Sequence, residues 1–141
     1  MRIASVTLII LFSVVLAPAQ KAAQPREMYK GPCWDHASNQ MQMNDCAGDD
    51  LKQADADLNA TWQQLLQAMK QHGTDPSALV AVERQWLDYR DAQLNAAYPL
   101  SPSENPREKY GSMYPMEWAE LKALLTRQRT KILQTLMDDF K

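Results

Sequence analysis

Catalytic machinery is the first thing missing from this sequence. It has no Gly-rich phosphate loop, no G-x-S-x-G elbow and no H-E-x-x-H pair, and its only histidines are His36 and His72. Nucleophilic, phosphoryl-transfer and zinc-peptidase chemistry each need such a constellation. A binding protein is therefore expected rather than an enzyme, with no cofactor. Basic clusters are missing too. The 15 Lys and Arg are outnumbered by 17 Asp and Glu, giving a formal net charge of -2. Nucleic acid needs a concentrated cationic surface, which argues against it as a partner. No stretch alternates apolar and polar residues long enough to make a strand, and there is no internal repeat or low-complexity tract. After residue 16 no apolar run approaches the length of a membrane span.

The one long apolar run is at the start. Arg2 supplies a positive charge, Ile3 to Leu16 are apolar apart from Ala, Ser and Thr, and Ala17-Pro18-Ala19 gives a small-x-small sequence. This reads as a signal peptide over residues 1–19, cleaved after Ala19. The rival is a membrane anchor, but the run falls short of the roughly 20 apolar residues a span needs. No Cys follows closely, so a lipid-anchored form is not expected. The expected location is periplasmic or secreted. Without Arg2, 14 Lys and Arg stand against 17 Asp and Glu, a net charge of -3. Export also changes how Cys33 and Cys46 are read. They are the only two cysteines, and outside the cytosol one intramolecular bridge is the simplest outcome, with a bridge to a partner as the alternative.

Residues 20–32 read as a flexible lead-in, with a Gly31-Pro32 turn before Cys33. A helix is predicted from Ser38, as N-cap, to Gln71. Its stripe is Met43, Ala47, Leu51, Ala54, Leu58, Thr61, Leu65 and Met69. Gly48 is read as a bend or break, and His72-Gly73 as a C-terminus. A second helix starts near Asp75 or Pro76 and carries Leu79, Glu83, Trp86, Arg90, Leu94 and Ala97 in one line, up to Tyr98-Pro99. Residues 99–115, with four prolines and Gly111, read as a long loop, a length uncommon unless functional or mobile. The last helix is predicted from Pro115 to Asp139. Trp118, Leu121, Leu125, Ile132, Leu136 and Phe140 are spaced for burial, so the tail should dock. The expectation is all-α: a small antiparallel bundle of about three main helices, forming one domain over residues 33–141, with one disulfide and a long loop between the second and third helices.

The polar residues have competing readings. Asp45, Asp49, Asp50, Asp55 and Asp57 could pair for acid–base work, but without a nucleophile a solvated helix face is the better account. Cys33, His36 and Cys46 offer only three metal ligands, and oxidation removes both sulfurs. Arg90 either contacts a partner or, the favoured reading, sits half-buried against a carboxylate such as Asp57; Arg129 invites the same reading. Trp62, Trp86 and Trp118 read as core, and Trp34 as packing beside the bridge.

Several stretches then align with one family. These are Cys33 with Asn44-Asp45-Cys46, the segment Ala54-Asp55-Ala56-Asp57-Leu58-Asn59, the run Gln85-Trp86-Leu87-Asp88-Tyr89-Arg90-Asp91-Ala92-Gln93, Gly111-Ser112, and Leu125-Thr126-Arg127-Gln128-Arg129. In order and spacing they resemble the LprI-like lysozyme-inhibitor family over roughly residues 33–136. The resemblance implies a helical envelope domain in which Asp57, Trp86, Arg90 and Arg129 are motif positions. The family commonly has two further cysteines, and this chain has Leu94 and Leu121 in their places. That implies a bridge between the second and third helices, replaced here by a leucine contact.

The resemblance also implies a protein partner, with a basic lysozyme the leading choice. An acidic inhibitor would be drawn to such an enzyme. Contact is expected from the acidic first helix or from the loop, through Tyr98, Glu104, Tyr110, Met113 and Tyr114, because aromatics are enriched at hot spots. The alternative for the loop is a connector folding back on the bundle. The alternative for the protein is an envelope interaction or structural module, including one that binds a competitor's toxin. The sequence sets no oligomeric state.

Overall fold

Asn39, rather than Ser38, starts the first helix. In the computed structural model, which describes residues 31–140, Asn39 is extended and its side-chain oxygen accepts from the Gln42 amide at 3.0 Å. The cap falls there because the chain turns from extended to helical at that residue. Ser38 adds a second tie, its amide and hydroxyl both donating to Gln42 Oε1. The predicted signal peptide and nearly all of the lead-in lie outside the described residues.

Helix α1 spans Gln40–Gln71 and passes through Gly48 without a break. It ends as a Gly-terminated helix should. Gly73 takes φ 68°, its amide donates to the Lys70 carbonyl, and the Thr74 amide donates to Met69. This is the Schellman arrangement that satisfies the last carbonyls. Asp75 then accepts from the amide and hydroxyl of Ser77 at 3.0 and 2.6 Å, and α2 runs Ser77–Ala97 with Pro76 just outside it. It stops at Tyr98, as a residue before proline must leave the helical region.

The connection to the last helix is more ordered than predicted. It contains a short helix, α3, Pro106–Tyr110, capped by Asn105, whose side chain accepts from the Arg107 amide at 3.0 Å. Gly111 follows at φ 80°, and α4 spans Tyr114–Asp138. A 3-10 turn, Pro32–Asp35, precedes α1. No strand occurs among the described residues.

Helices α1 and α4 lie side by side and parallel. Gln40 meets Met116 near one end, and His72 meets Phe140 edge to face at the other, at 5.7 Å between centroids. The two backbones approach through small buried residues: Ala47 and Ala54 on α1, and Ala119, Ala123, Thr126 and Thr130 on α4. Leu58, Leu65, Met69 and Leu133 form the apolar centre, with Trp62, Leu79, Trp86, Met137 and Phe140 packed on it. The C-terminal tail is therefore docked.

This packing corrects the predicted stripe on α4. Ile132 is 52 % exposed and Leu136 38 %. The buried line is Ala119, Ala123, Thr126, Thr130 and Leu133. Small residues won the face toward α1 because only they permit close approach of two helices, while the larger side chains rotate toward α2 and solvent.

Helix α2 runs antiparallel to both. Its Cα trace nowhere comes within 8 Å of that of α1, so long side chains must bridge the gap. The three central tryptophans are accordingly half-buried rather than fully enclosed.

Candidate binding surface

Trp86 is the centre of that bridge. The guanidinium carbon of Arg90 lies 5.3 Å from its ring centroid and that of Arg129 lies 5.7 Å away. One indole thus faces two cations, each attracted by its π electrons. Arg129 Nε donates to Glu83 Oε2 at 2.9 Å, and Nη2 forms an ion pair with the same oxygen at 2.7 Å. These side chains are only 8 % and 13 % exposed. Arg90 is 11 % exposed and reaches Asp91 at 3.2 Å and Asp55 at 3.7 Å.

The Arg90 partner on α1 is therefore Asp55, not Asp57. At 100° per residue the two differ by more than half a turn. Asp55 is on the flank beneath α2, while Asp57 is exposed and accepts from Gln53 Nε2 at 2.8 Å. Asp45 and Asp49 are exposed, with Asp49 paired to Lys52 at 2.8 Å.

A second set of contacts gathers where α1 and α4 begin. The Asn44 side chain donates to the Ser112 carbonyl at 3.1 Å. Gly111, just before, adopts the left-handed backbone that lets the chain turn into α4, and its carbonyl accepts from the Tyr114 amide. Tyr98, Tyr110 and Tyr114 pack on one another at 5.4 to 5.6 Å, two pairs edge to face and one stacked. The Tyr110 hydroxyl and Lys109 Nζ both donate to the Pro99 carbonyl. Glu104 accepts from the Ser101 amide at 2.7 Å and from Lys109 at 2.9 Å. The amide bond first, then the lysine, holds its carboxyl below the ordinary range. Of the five predicted contact residues, Tyr98, Tyr110 and Tyr114 are half-buried in this cluster. Met113 is 47 % exposed.

Cys33 and Cys46 form a disulfide that ties the 3-10 turn to α1. Trp34, next to it, donates from its indole to Asp50 at 2.7 Å. An open cleft of roughly 270 Å³ beside the bridge is lined by Cys33, His36, Ala37, Gln42, Asp45 and Cys46. Both sulfurs are bonded to each other, and no group of residues suited to a metal occurs among the described residues.

The lysozyme inhibitor LprI family matches residues 33–133. The chain belongs to that family. It is also 35 % identical over 115 residues to an uncharacterized protein of Rhizobium meliloti (strain 1021), an alignment covering 72 % of this chain and 76 % of that one. No solved structure matches it.

The LprI signature can now be given physical roles. Asp55, Trp86, Arg90 and Arg129 meet around the bridge to α2, joined there by Glu83 from just outside the signature, and Asn44, Gly111 and Ser112 meet at the other joint. Sequence reasoning missed Asp55 and Asn44 as partners, since both contacts join segments far apart in the chain. Glu83 had a visible signal: it shares a helix line with Trp86 and Arg90. Leu94 is buried and Leu121 half-buried. The Glu83–Arg129 pair sets an antiparallel register that places Leu121 within one turn of the level of Leu94.

Proposed function

We propose that this protein is an exported inhibitor of lysozyme that acts by occupying the enzyme's cleft, with no chemistry of its own. The family match over residues 33–133 carries the reading. The charge supports it. Residues 31–140 hold 16 Asp and Glu against 10 Lys and Arg, and an acidic domain is steered toward a basic enzyme. Lysozymes hydrolyse glycan in a groove between two carboxylates, and a protein seated there excludes substrate. The apolar N-terminal segment supports placement in the periplasm or outside the cell.

One observation favours a second reading. The signature residues are occupied with holding helices together, so membership in the family constrains the scaffold more tightly than the partner. The same scaffold would then serve as an envelope interaction module.

The test is lysis of a cell-wall suspension by c-type and g-type lysozymes, with the oxidised protein added at low and high salt. Dose-dependent inhibition that weakens with salt is the expected result. A folded, disulfide-bonded sample without effect at micromolar excess would remove the inhibitor reading in favour of the second.

A further inference from the structure

Resting on the inhibitor reading, we infer that the contact surface is the end of the bundle where α1 and α4 begin, with Met41, Leu100 and Met113 as its apolar anchors. The loop tyrosines build this end rather than touch the partner. The occupant is a basic protein presenting an apolar-lined concavity.

Three observations converge on this end. The first is exposure. Met41 is 69 % exposed, Met113 47 % and Leu100 39 %, whereas the three tyrosines are half-buried against one another. The second is a fixed frame. The Asn44–Ser112 hydrogen bond locks the second turn of α1 to the residue preceding Met113, and Tyr110 and Lys109 both hold the carbonyl preceding Leu100. Anchors on a rigid frame lose little entropy on binding, and methionine adapts its shape to an irregular cleft. The third is charge. Residues 31–54 and 86–126, which make up this half of the bundle, hold ten Asp and Glu against five Lys and Arg. Residues 55–85 and 127–140, the other half, hold six against five. Nearly all the net negative charge therefore lies in the half of the bundle that carries these anchors, complementary to a cationic partner. Val82, Ile132 and Leu136 are also exposed, but they sit in the near-neutral half, and the exposed Leu87 and Tyr89 stand in the middle of α2, away from the end where α1 and α4 begin.

Two double variants separate the surfaces. Met41→Lys with Met113→Lys alters the proposed anchors. Ile132→Lys with Leu136→Lys alters the other apolar patch by the same chemistry. All four side chains are exposed, so circular dichroism should show both proteins folded. Met41→Leu with Met113→Leu serves as the conservative variant. The assay is inhibition of a basic c-type lysozyme by the exported, oxidised protein. The expected result is an inhibition constant at least about thirtyfold weaker for the methionine-to-lysine pair. The α4 pair should stay within threefold of the unchanged protein, and the leucine variant should recover most of the inhibition that the lysine pair removes. A folded methionine-to-lysine variant that inhibits within threefold of the unchanged protein overturns the inference and leaves the inhibitor reading standing. If the unchanged protein inhibits no lysozyme, the functional reading fails and takes this inference with it.

Discussion

Replacing Arg129 by alanine should unfold much of this domain rather than disable a surface. Arg129 and Glu83 are 8 % and 13 % exposed and share an ion pair at 2.7 Å. Removing the guanidinium strands the Glu83 carboxylate in a poorly solvated site, which costs about 3–5 kcal/mol. It also removes one of the two cations facing Trp86, a smaller loss of about 0.5–2 kcal/mol that overlaps the first. A domain of this size has a total stability of about 5–15 kcal/mol, so the variant should stand near the edge of folding. With about 4 °C of melting temperature per kcal/mol for a chain of this length, the midpoint should fall by about 12–20 °C. The control is a volume-conserving double replacement, Arg129→Met with Glu83→Leu, which removes both charges. It should recover most of the loss, because a well-packed apolar pair is often neutral relative to a buried ion pair. Thermal melts at 222 nm measure all three proteins. An Arg129→Ala variant within about 1 kcal/mol of the unchanged protein would refute the clasp. A stable Arg129→Ala protein that had lost inhibition would reassign Arg129 to the partner surface.

Glycine substitutions should have opposite signs at two positions. Gly48 lies in a helix interior with open space where a Cβ would stand, so Gly48→Ala should add about 0.5–1 kcal/mol in urea unfolding. Gly111→Ala places a side chain at φ 80° and should cost about 1–3 kcal/mol in the same assay. Thr126 Oγ1 is buried with no hydrogen-bond partner among the described residues. Thr126→Val should therefore be neutral or stabilising by about 1 kcal/mol; a loss of stability would reveal a role for the hydroxyl. Reduction of Cys33–Cys46, 13 residues apart, should remove about 3 kcal/mol in a melt with and without reductant, since the bridge constrains the unfolded chain. The Glu104 carboxyl is held below its ordinary value by the Ser101 amide and then by Lys109. Its folded pKa is lowered, so its contribution is present above the unfolded value and lost as pH falls through the folded one. Protection of the Ser101 amide, its exchange relative to the intrinsic rate at each pH, should fall on acidification through and below the ordinary carboxylate range, and a protection factor independent of pH would contradict the assignment.

The sequence by itself determined the three long helices and the class, but not the short helix α3. Period 3.6 spacing marks α1, and Gly73 and the Tyr98-Pro99 step close two helices, because these are local steric facts that need no partner. The pairing of Cys33 with Cys46 was nearly determined by count. The separated signature stretches, read together, were enough to recognise the family. Tertiary structure alone decided which face of α4 is buried. The stripe of larger apolar residues loses that face to the one whose alanines and threonines let α4 approach α1. It also decided that Arg90 meets Asp55 instead of Asp57, since which of two neighbouring carboxylates points at α2 depends on the rotation of α1 about its own axis. The loop shows the same division. Its tyrosines were visible as a cluster in the sequence. Only the packed structure shows them turned on one another, leaving Met113 and the distant Met41 exposed, because the contacts that decide exposure join residues about 70 positions apart.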